Sequence, residues 1–379
     1  MSTSDSPAPN ADGGLDWRLG GRVGIGIGPT NTIADVPGIR VGHASRTDDG
    51  WLTGVTVVLA EEGALGAVDV RGGGAATRET AALDPTGVVD RVHAVSFSGG
   101  SAYGLESASG VLAALQERGL GFRVGRALEE VVPVVPAASI FDLGRGGVFR
   151  NRPGPALGRQ AAEAAFTSSS VGLGSIGAGT GAVTGDMRGG VGSASAVLPG
   201  GAVVAALVVV NADGTTIHPR TGVPWGLFAE LARADGLGEF GIRPPTPERH
   251  AAARLRLGEE SARRPALRPL NTTLVVVATD ADIDRSRLGR LAATGHDGMT
   301  RAIRPVHTLG DGDVVFALST GGAGLPTPAS GLLPGHEEAD GINQVLSAGA
   351  DVVTRAIVHA ILAATTSHGI PSYRDLYGS

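Results

Sequence analysis

The chain has 379 residues, 42% of them hydrophobic, enough to bury a large core as one big domain or two intimate ones, and disorder is not its expected state. A formal charge of −6 without long basic runs excludes nucleic acid as a partner, and no apolar stretch runs uninterrupted far enough to read as a membrane span. With no cysteine there is neither a disulfide framework nor a thiol nucleophile; together with an N-terminus that lacks the basic and apolar regions of a secretion signal, this fits a cytoplasmic protein.

In chain order, residues 1–15 read as a flexible polar tail, and 16–379 as a single domain. "NTIADVPGIRVGHAS" and "WLTGVTVVLAEEGALGAVDVRGGGAATRET" alternate short Val-rich runs with Gly, Pro and Asp turns, which predicts two turn-rich strand pairs. "VHAVSFSGGSAYGLESASGVLAALQERGL" passes from a strand through Gly-Gly into a helix whose stripe includes Leu105, Val111, Leu112 and Leu115, stopped by Gly119. "VVPVVPAASIFDLG" predicts a strand interrupted by prolines, followed by a loop and the Ala-rich helix "ALGRQAAEAAFTSS". "VGLGSIGAGTGAVTGDMRGGVGSASAVL" is too rich in glycine for a regular element and predicts tight backbone turns; "AVVAALVVVNADG" then predicts a strand ending at Asn211.

Between Pro244 and Leu270 the sequence turns dense in Arg, Glu, Ala and Pro, which predicts a surface helix with a loose tail, exposed to solvent. Regular structure resumes after Asn271: a strand to Thr279, the helix "SRLGRLAATGHDGMTRAI", the strand "DVVFALST", a Pro/Gly loop and the helix "INQVLSAGADVVTRAIVHAILAAT". Strands and helices alternate, so the chain predicts a layered α/β architecture.

Familiar motifs are few. Gly172, Gly174 and Gly177 match G-x-G-x-x-G, but "TSSS" precedes them and more glycines follow, where a dinucleotide site needs a strand and a helix; no phosphate loop and no G-x-S-x-G elbow occur. The nine histidines give no H-E-x-x-H and no tight cluster with acids, so neither a metal nor another cofactor is expected, and a hydrogen-bonded structural role is the leading reading of His296 and His307.

A hydroxyl also becomes a nucleophile when it lies at a new N-terminus, where its own α-amine is the base. That amine has a pKa near 7.7–8.0, closer to neutrality than an ε-amine near 10.4. Thr272 has the placement this needs, behind a cleavable segment and in front of a strand that would hold it; an ordinary turn residue is the competing reading. In "HTLGDGDVVFALSTG", Asp311 and Asp313 stand two apart and share one side if the chain is extended there. Such a pair could hold the nucleophile and its ammonium, titrating as a coupled unit; Gly-Asp-Gly-Asp is equally good turn chemistry.

These residues carry a pattern. "IADVPGIRVGH", "DVRGGGAATRET", "SGGSAYGLESASGV", "GAGTGAVTGDMRGGVGSAS", "VVVNADG", "NTTLVVVATDADID" and "HDGMTRAIRPVHTLGDGDVVFALSTG" resemble the P1 family of peptidases, the D-aminopeptidase and β-aminopeptidase group with its nylon-oligomer hydrolases. The resemblance implies a four-layer αββα sandwich of the N-terminal-nucleophile type, with assembly into a homo-oligomer such as a tetramer. It implies self-cleavage between Asn271 and Thr272 within an exposed processing linker, 244–271, leaving a subunit that starts at Thr272. Thr272 would then be the nucleophile, Asn211 an oxyanion or substrate ligand, and Asp311 and Asp313 the groups that orient Thr272. The implied substrates are small peptides, amino-acid amides or esters, and ω-amino-acid oligomers.

Two pocket positions depart from the nylon-hydrolase branch: Phe141 stands where that branch has a tyrosine, and Asp186 is read as standing where it has a lysine. Losing a hydroxyl and reversing a charge argue against efficient nylon-oligomer hydrolysis, and leave room for the alternative of a catalytically weakened scaffold that binds small molecules or assembles. Backbone amides around Gly177, Gly179 and Gly181 are candidate oxyanion donors, with plain structural packing as the competing reading.

Overall fold

The computed structural model describes residues 25–127, 129–227, 238–263, 271–326 and 336–378. The expected tail, the end of the linker before Asn271 and most of the Pro/Gly loop lie outside the described residues.

Nine strands form one continuous hydrogen-bonded sheet: β1 (Ile39–Arg46), β2 (Thr53–Val70), β3 (Thr77–Arg78), β4 (Arg91–Ser98), β5 (Ala137–Ser139), β6 (Gly190–Val197), β7 (Val203–Asn211), β8 (Thr272–Ala281) and β9 (Val314–Ala323). Their order is β6-β7-β8-β9-β2-β4-β5-β3, with β1 also paired to β2. Where the sequence predicts turn-rich strand pairs, β2 runs unbroken for 18 residues. It pairs with β1 through Thr53–Ala60 and with β9 through Leu65–Val70, and its register against β4 shifts between Leu59 and Ala64. Gly63, at φ 77°, supplies the left-handed residue that this bend requires.

The helices are α1 (Ser107–Gln116), α2 (Pro155–Thr167), α3 (Pro247–Ala262), α4 (Arg285–Ala302), α5 (Glu337–Ala363) and α6 (Tyr373–Tyr377). Three apolar layers hold these elements together, one between the strands and one under the helices on each side. Val55, Val57, Leu59 and Ala94 pack against Val111, Leu115, Ala161 and Ala165 of α1 and α2. Val41, Val58, Val95 and Phe97 face Leu207, Val209, Leu274, Val276 and Phe316 inside the sandwich. Val204, Val208, Val275, Val277 and Val315 face Leu288, Leu291 and Met299 of α4 and Val345, Val352 and Ile357 of α5. The result is an αββα sandwich. The central strands are buried on both faces, which is why β7 and β8 read as continuous β-branched runs rather than alternating ones.

The Gly-rich segment holds more order than its composition predicts, since Gly190–Val197 is an eight-residue strand antiparallel to β7. Its glycine serves contact with the helix layer: a Cβ on Gly192 would fall 1.9 Å from the Ala356 carbonyl oxygen of α5. α5 is long and apolar enough to cross a membrane, but 72% of its apolar window is buried within the fold, so the core accounts for its apolarity.

A polar clasp fastens α5 to the entry of the chain. Glu239 accepts from Arg355 Nε at 2.7 Å, His359 Nε2 at 2.5 Å and Asn31 Nδ2 at 2.6 Å. Burial alone would raise its pKa, yet these bonds from His359, Arg355 and Asn31 hold it at about 2, against an ordinary 4.5. A depressed carboxylate contributes stability that is present above its unfolded value and lost as pH falls through its folded one. Glu239→Gln is therefore expected to destabilise the protein at neutral pH by on the order of 3 kcal/mol. Thermal denaturation should show the gap to wild type closing as pH falls from 4.5 towards 2. A gap independent of pH would remove the ionic account.

Candidate active site

Strand register builds the site. Antiparallel pairing of β7 with β8 sets Asn211 opposite Thr272, and parallel pairing of β8 with β9 sets Leu274 opposite Val314. The same offset continues as a bridge between Asn271 and Asp311, so Thr272 lies level with Gly312, flanked by the two acids. The end of one strand and the starts of two others thus bring Asn211, Asn271, Thr272, Asp311 and Asp313 together, and all five are buried.

The Asn271–Thr272 peptide is held in a defined geometry. Thr272 Oγ1 lies 2.5 Å from the Asn271 carbonyl oxygen, which also accepts from Gly312 N at 2.9 Å. Asn271 N donates to the Gly310 carbonyl at 3.1 Å, and its Nδ2 donates to Asp213 Oδ1 at 3.3 Å. The hydroxyl therefore donates to the oxygen of the peptide that precedes it, and a backbone N–H is aimed at the same oxygen, on which negative charge would develop in an attack on that carbonyl.

Both acids are held by nearby donors. Asp313 Oδ1 accepts from Thr273 N at 2.6 Å, and its Oδ2 accepts from His307 N at 3.1 Å and His307 Nδ1 at 2.8 Å. Asp311 Oδ1 accepts from Asp213 N at 3.2 Å, and its Oδ2 from Thr308 N at 3.0 Å and Thr308 Oγ1 at 2.9 Å. Burial, and then the negative charge of Asp313, raise the Asp311 pKa above its ordinary value.

Asn211 is fully buried and its amide is oriented. Oδ1 accepts from Arg145 Nη1 at 2.5 Å and Val183 N at 3.1 Å, and Nδ2 donates to the Phe141 carbonyl at 3.4 Å. Phe141 thus adjoins the cluster through its backbone. Asp186 stands instead on the exposed turn of the hairpin Val183–Arg188. The buried cation of that hairpin is Arg188, which donates to the Thr180 carbonyl and whose pKa burial lowers to about 10.

Of the three glycines expected to stabilise an oxyanion, two have their amides engaged elsewhere. Gly177 N donates to Ser45 Oγ at 2.8 Å and Gly179 N to the Ile176 carbonyl at 2.9 Å, while the Gly181 carbonyl accepts from Arg145 at 2.7 Å. The amides of Gly177 and Gly179 are turned into the fold, and the backbone donor at the Asn271 carbonyl is Gly312. The sequence holds a trace of this, since Gly312 separates the two acids, but only the register brings it beside Thr272. His307 and Arg145 are further residues of the cluster that sequence reasoning did not assign to it.

The αββα sandwich is of the Ntn-hydrolase type. Residues 31–373 match the family described as Peptidase family S58. An uncharacterized aminopeptidase of Mycobacterium tuberculosis is 44% identical over 92% of this chain and 98% of its own length. A 6-aminohexanoate-oligomer endohydrolase of Kocuria sp. is 32% identical over 77% of this chain and 76% of its own. Among solved structures, a Burkholderia sp. β-aminopeptidase superposes with a TM-score of 0.64 at 24% identity, covering 94% of this chain and 96% of that one. An L-aminopeptidase D-Ala-esterase/amidase from Ochrobactrum anthropi, described as a variant of the Ntn hydrolase fold, gives 0.62 at 21%, covering 89% and 88%. The chain belongs to peptidase family S58.

A Cβ on Gly312 would lie 2.7 Å from Thr272 Oγ1 and 3.1 Å from Ala75 Cα. Gly312→Ala should therefore displace the hydroxyl from the Asn271 carbonyl and slow any cleavage there by about a hundredfold, as read by intact mass over time. Cleavage at the wild-type rate would separate Gly312 from the reaction.

Proposed function

We propose that this is a self-processing N-terminal-threonine amidohydrolase, acting on small peptides, amino-acid amides or ω-amino-acid oligomers through an acyl-enzyme. The observation that carries the reading is the 2.5 Å hydrogen bond from Thr272 Oγ1 to the Asn271 carbonyl oxygen, with Gly312 N on the same oxygen. In processing, Oγ1 attacks the Asn271 carbonyl carbon, negative charge develops on the oxygen bonded to Gly312 N, and the C–N bond breaks to leave an ester. The Oγ1 proton passes to the leaving nitrogen, which frees the Thr272 amine, and water then hydrolyses the ester to release Oγ1 and the Asn271 carboxylate.

In turnover that amine takes the proton of Oγ1, which attacks the substrate carbonyl. The leaving amine departs with a proton, and water then releases the acyl group. Asp311 and Asp313 hold the ammonium form of Thr272 between these steps, and Asn211 Nδ2 is the side-chain donor available to the oxyanion. The names of the relatives support the substrate range: one is an oligomer endohydrolase, the others are aminopeptidases or esterase/amidases. Phe141 has no hydroxyl to offer, so peptides and amides are favoured over nylon-type oligomers. A cytoplasmic location and a homo-oligomer such as a tetramer belong to the same proposal, the first supported by the cysteine-free composition.

Intact-mass measurement of the purified 37.9 kDa chain should give two fragments of roughly 27 and 11 kDa, the smaller beginning at Thr272. Thr272→Ala is expected to stay whole, fold normally and be inactive towards aminoacyl p-nitroanilides, β-peptides and short ω-amino-acid oligomers. Asp311→Asn retains the hydroxyl and should be cut slowly, with turnover reduced by on the order of a hundredfold. Its larger effect belongs to turnover, because the ammonium it would hold exists only after cutting. Hydrolysis at the wild-type rate by Thr272→Ala would end the assignment.

A further inference from the structure

We propose that His307 is a positioning residue for this reaction, whose imidazole holds the Asp313 carboxylate in the orientation that serves the new N-terminus. The proposal rests on the assignment of Thr272 above. His307 touches neither the nucleophile nor the scissile carbonyl, and it acts through Asp313.

Three observations converge on it. Asp313 is fully buried, and the donors to its Oδ2 are the backbone N of His307 at 3.1 Å and Nδ1 of the same residue at 2.8 Å. One residue thus makes a two-point clamp on one oxygen, while Thr273 N fixes the other at 2.6 Å. The clamp requires an unusual backbone: His307 has φ 58°, in the left-handed region that residues other than glycine enter at some expense. That conformation turns consecutive amides towards the two acids, His307 N to Asp313 and Thr308 N to Asp311 at 3.0 Å.

The far side of the imidazole has no polar anchor. His307 Nε2 is buried without a hydrogen-bond partner, and the ring meets that of His296 edge-on, with centroids 4.7 Å apart and planes at 76°. His296 is wholly buried on α4, its Nε2 is 3.1 Å from the Asp69 carbonyl oxygen, and burial pushes its pKa down to about 4. A neutral ring therefore buttresses His307 by shape alone. The polar function of His307 is concentrated in Nδ1, whose bond points at Asp313 and so towards the peptide amide next to Thr272.

A spectator histidine and a positioning histidine respond differently to replacement. His307→Gly keeps the left-handed backbone without strain and removes the imidazole. His307→Asn also tolerates that backbone and returns an N–H donor near the place of Nδ1. After confirmed cutting at Thr272, His307→Gly should lose about tenfold or more in kcat with KM little changed, whereas His307→Asn should stay within about threefold of wild type. Free imidazole added to His307→Gly should restore part of the lost kcat without restoring anything to wild type. His296→Phe, which preserves the ring packing, should turn over as wild type does.

Turnover by His307→Gly at the wild-type rate would overturn the proposal, as would a loss that neither asparagine nor imidazole repairs in protein melting like wild type. Should the glycine variant fail to fold, His307→Asn decides: wild-type folding with a large loss of kcat counts against the proposal, and a retained kcat supports it. Failure of the underlying assignment looks different, since it would appear in the intact mass as a wild-type chain that is uncut yet fully active.

Discussion

The register of three neighbouring strands is the constraint on which the site depends. β7 ends at Asn211, β8 begins at Thr272, and the approach to β9 carries Asp311, Gly312 and Asp313. Because side chains alternate along a strand, a slip of one residue in either pairing would turn Thr272 away from its partners. The hydrophobic runs behind the site prevent that slip. Leu274 and Val276 face the interior of the sandwich while Val275 and Val277 face α4 and α5, so the apolar faces on both sides act together to fix the position of a threonine outside them.

Double burial also explains the composition. A strand between two layers cannot spend alternate positions on solvated side chains, and helices can approach such a sheet closely only where side chains are small. Ala194, Ala196, Gly192, Ala356 and Ala360 meet at the contact of β6 with α5, and the low aromatic content of 4% follows from many such contacts. The stability of the frame thus comes from many small contacts, and the polar groups at its open end need contribute little to it.

Much of this is legible in the sequence because it is local or periodic. The β-branched runs mark β7, β8 and β9, the Ala-rich and amphipathic patterns mark α2, α4 and α5, and the Asn-Thr junction stands at the first residues of β8 as expected. What the sequence conceals depends on partners distant in the chain. Gly190–Val197 reads as a turn-rich segment because its glycines suit close contacts with the α5 surface, at Gly192, and with Gly174, at Gly190, rather than local flexibility. β2 reads as separate strands because its bend at Gly63 looks like a terminator when its partners β1 and β9 are unknown. The amides of Gly177 and Gly179 invite an oxyanion role until Ser45 and Ile176 are seen to accept from them. Asp186 and Arg188 are two residues apart and opposite in burial, which only the short hairpin reveals.

The electrostatics of the site give this arrangement a direction. In the uncut chain two carboxylates lie buried together, satisfied by backbone amides, a threonine hydroxyl and an imidazole, and Asp311 is raised by burial and by Asp313. Hydrogen bonds of this kind orient a carboxylate but do not neutralise it, so the pair retains an unmet preference for a cation. Cutting before Thr272 would create one where none had been, at the residue whose C-terminal neighbour is already bonded to Asp313. The frame is therefore complete before the base exists. On the proposed mechanism, the same cleavage that frees the nucleophile also delivers the charge that the two acids are arranged to receive.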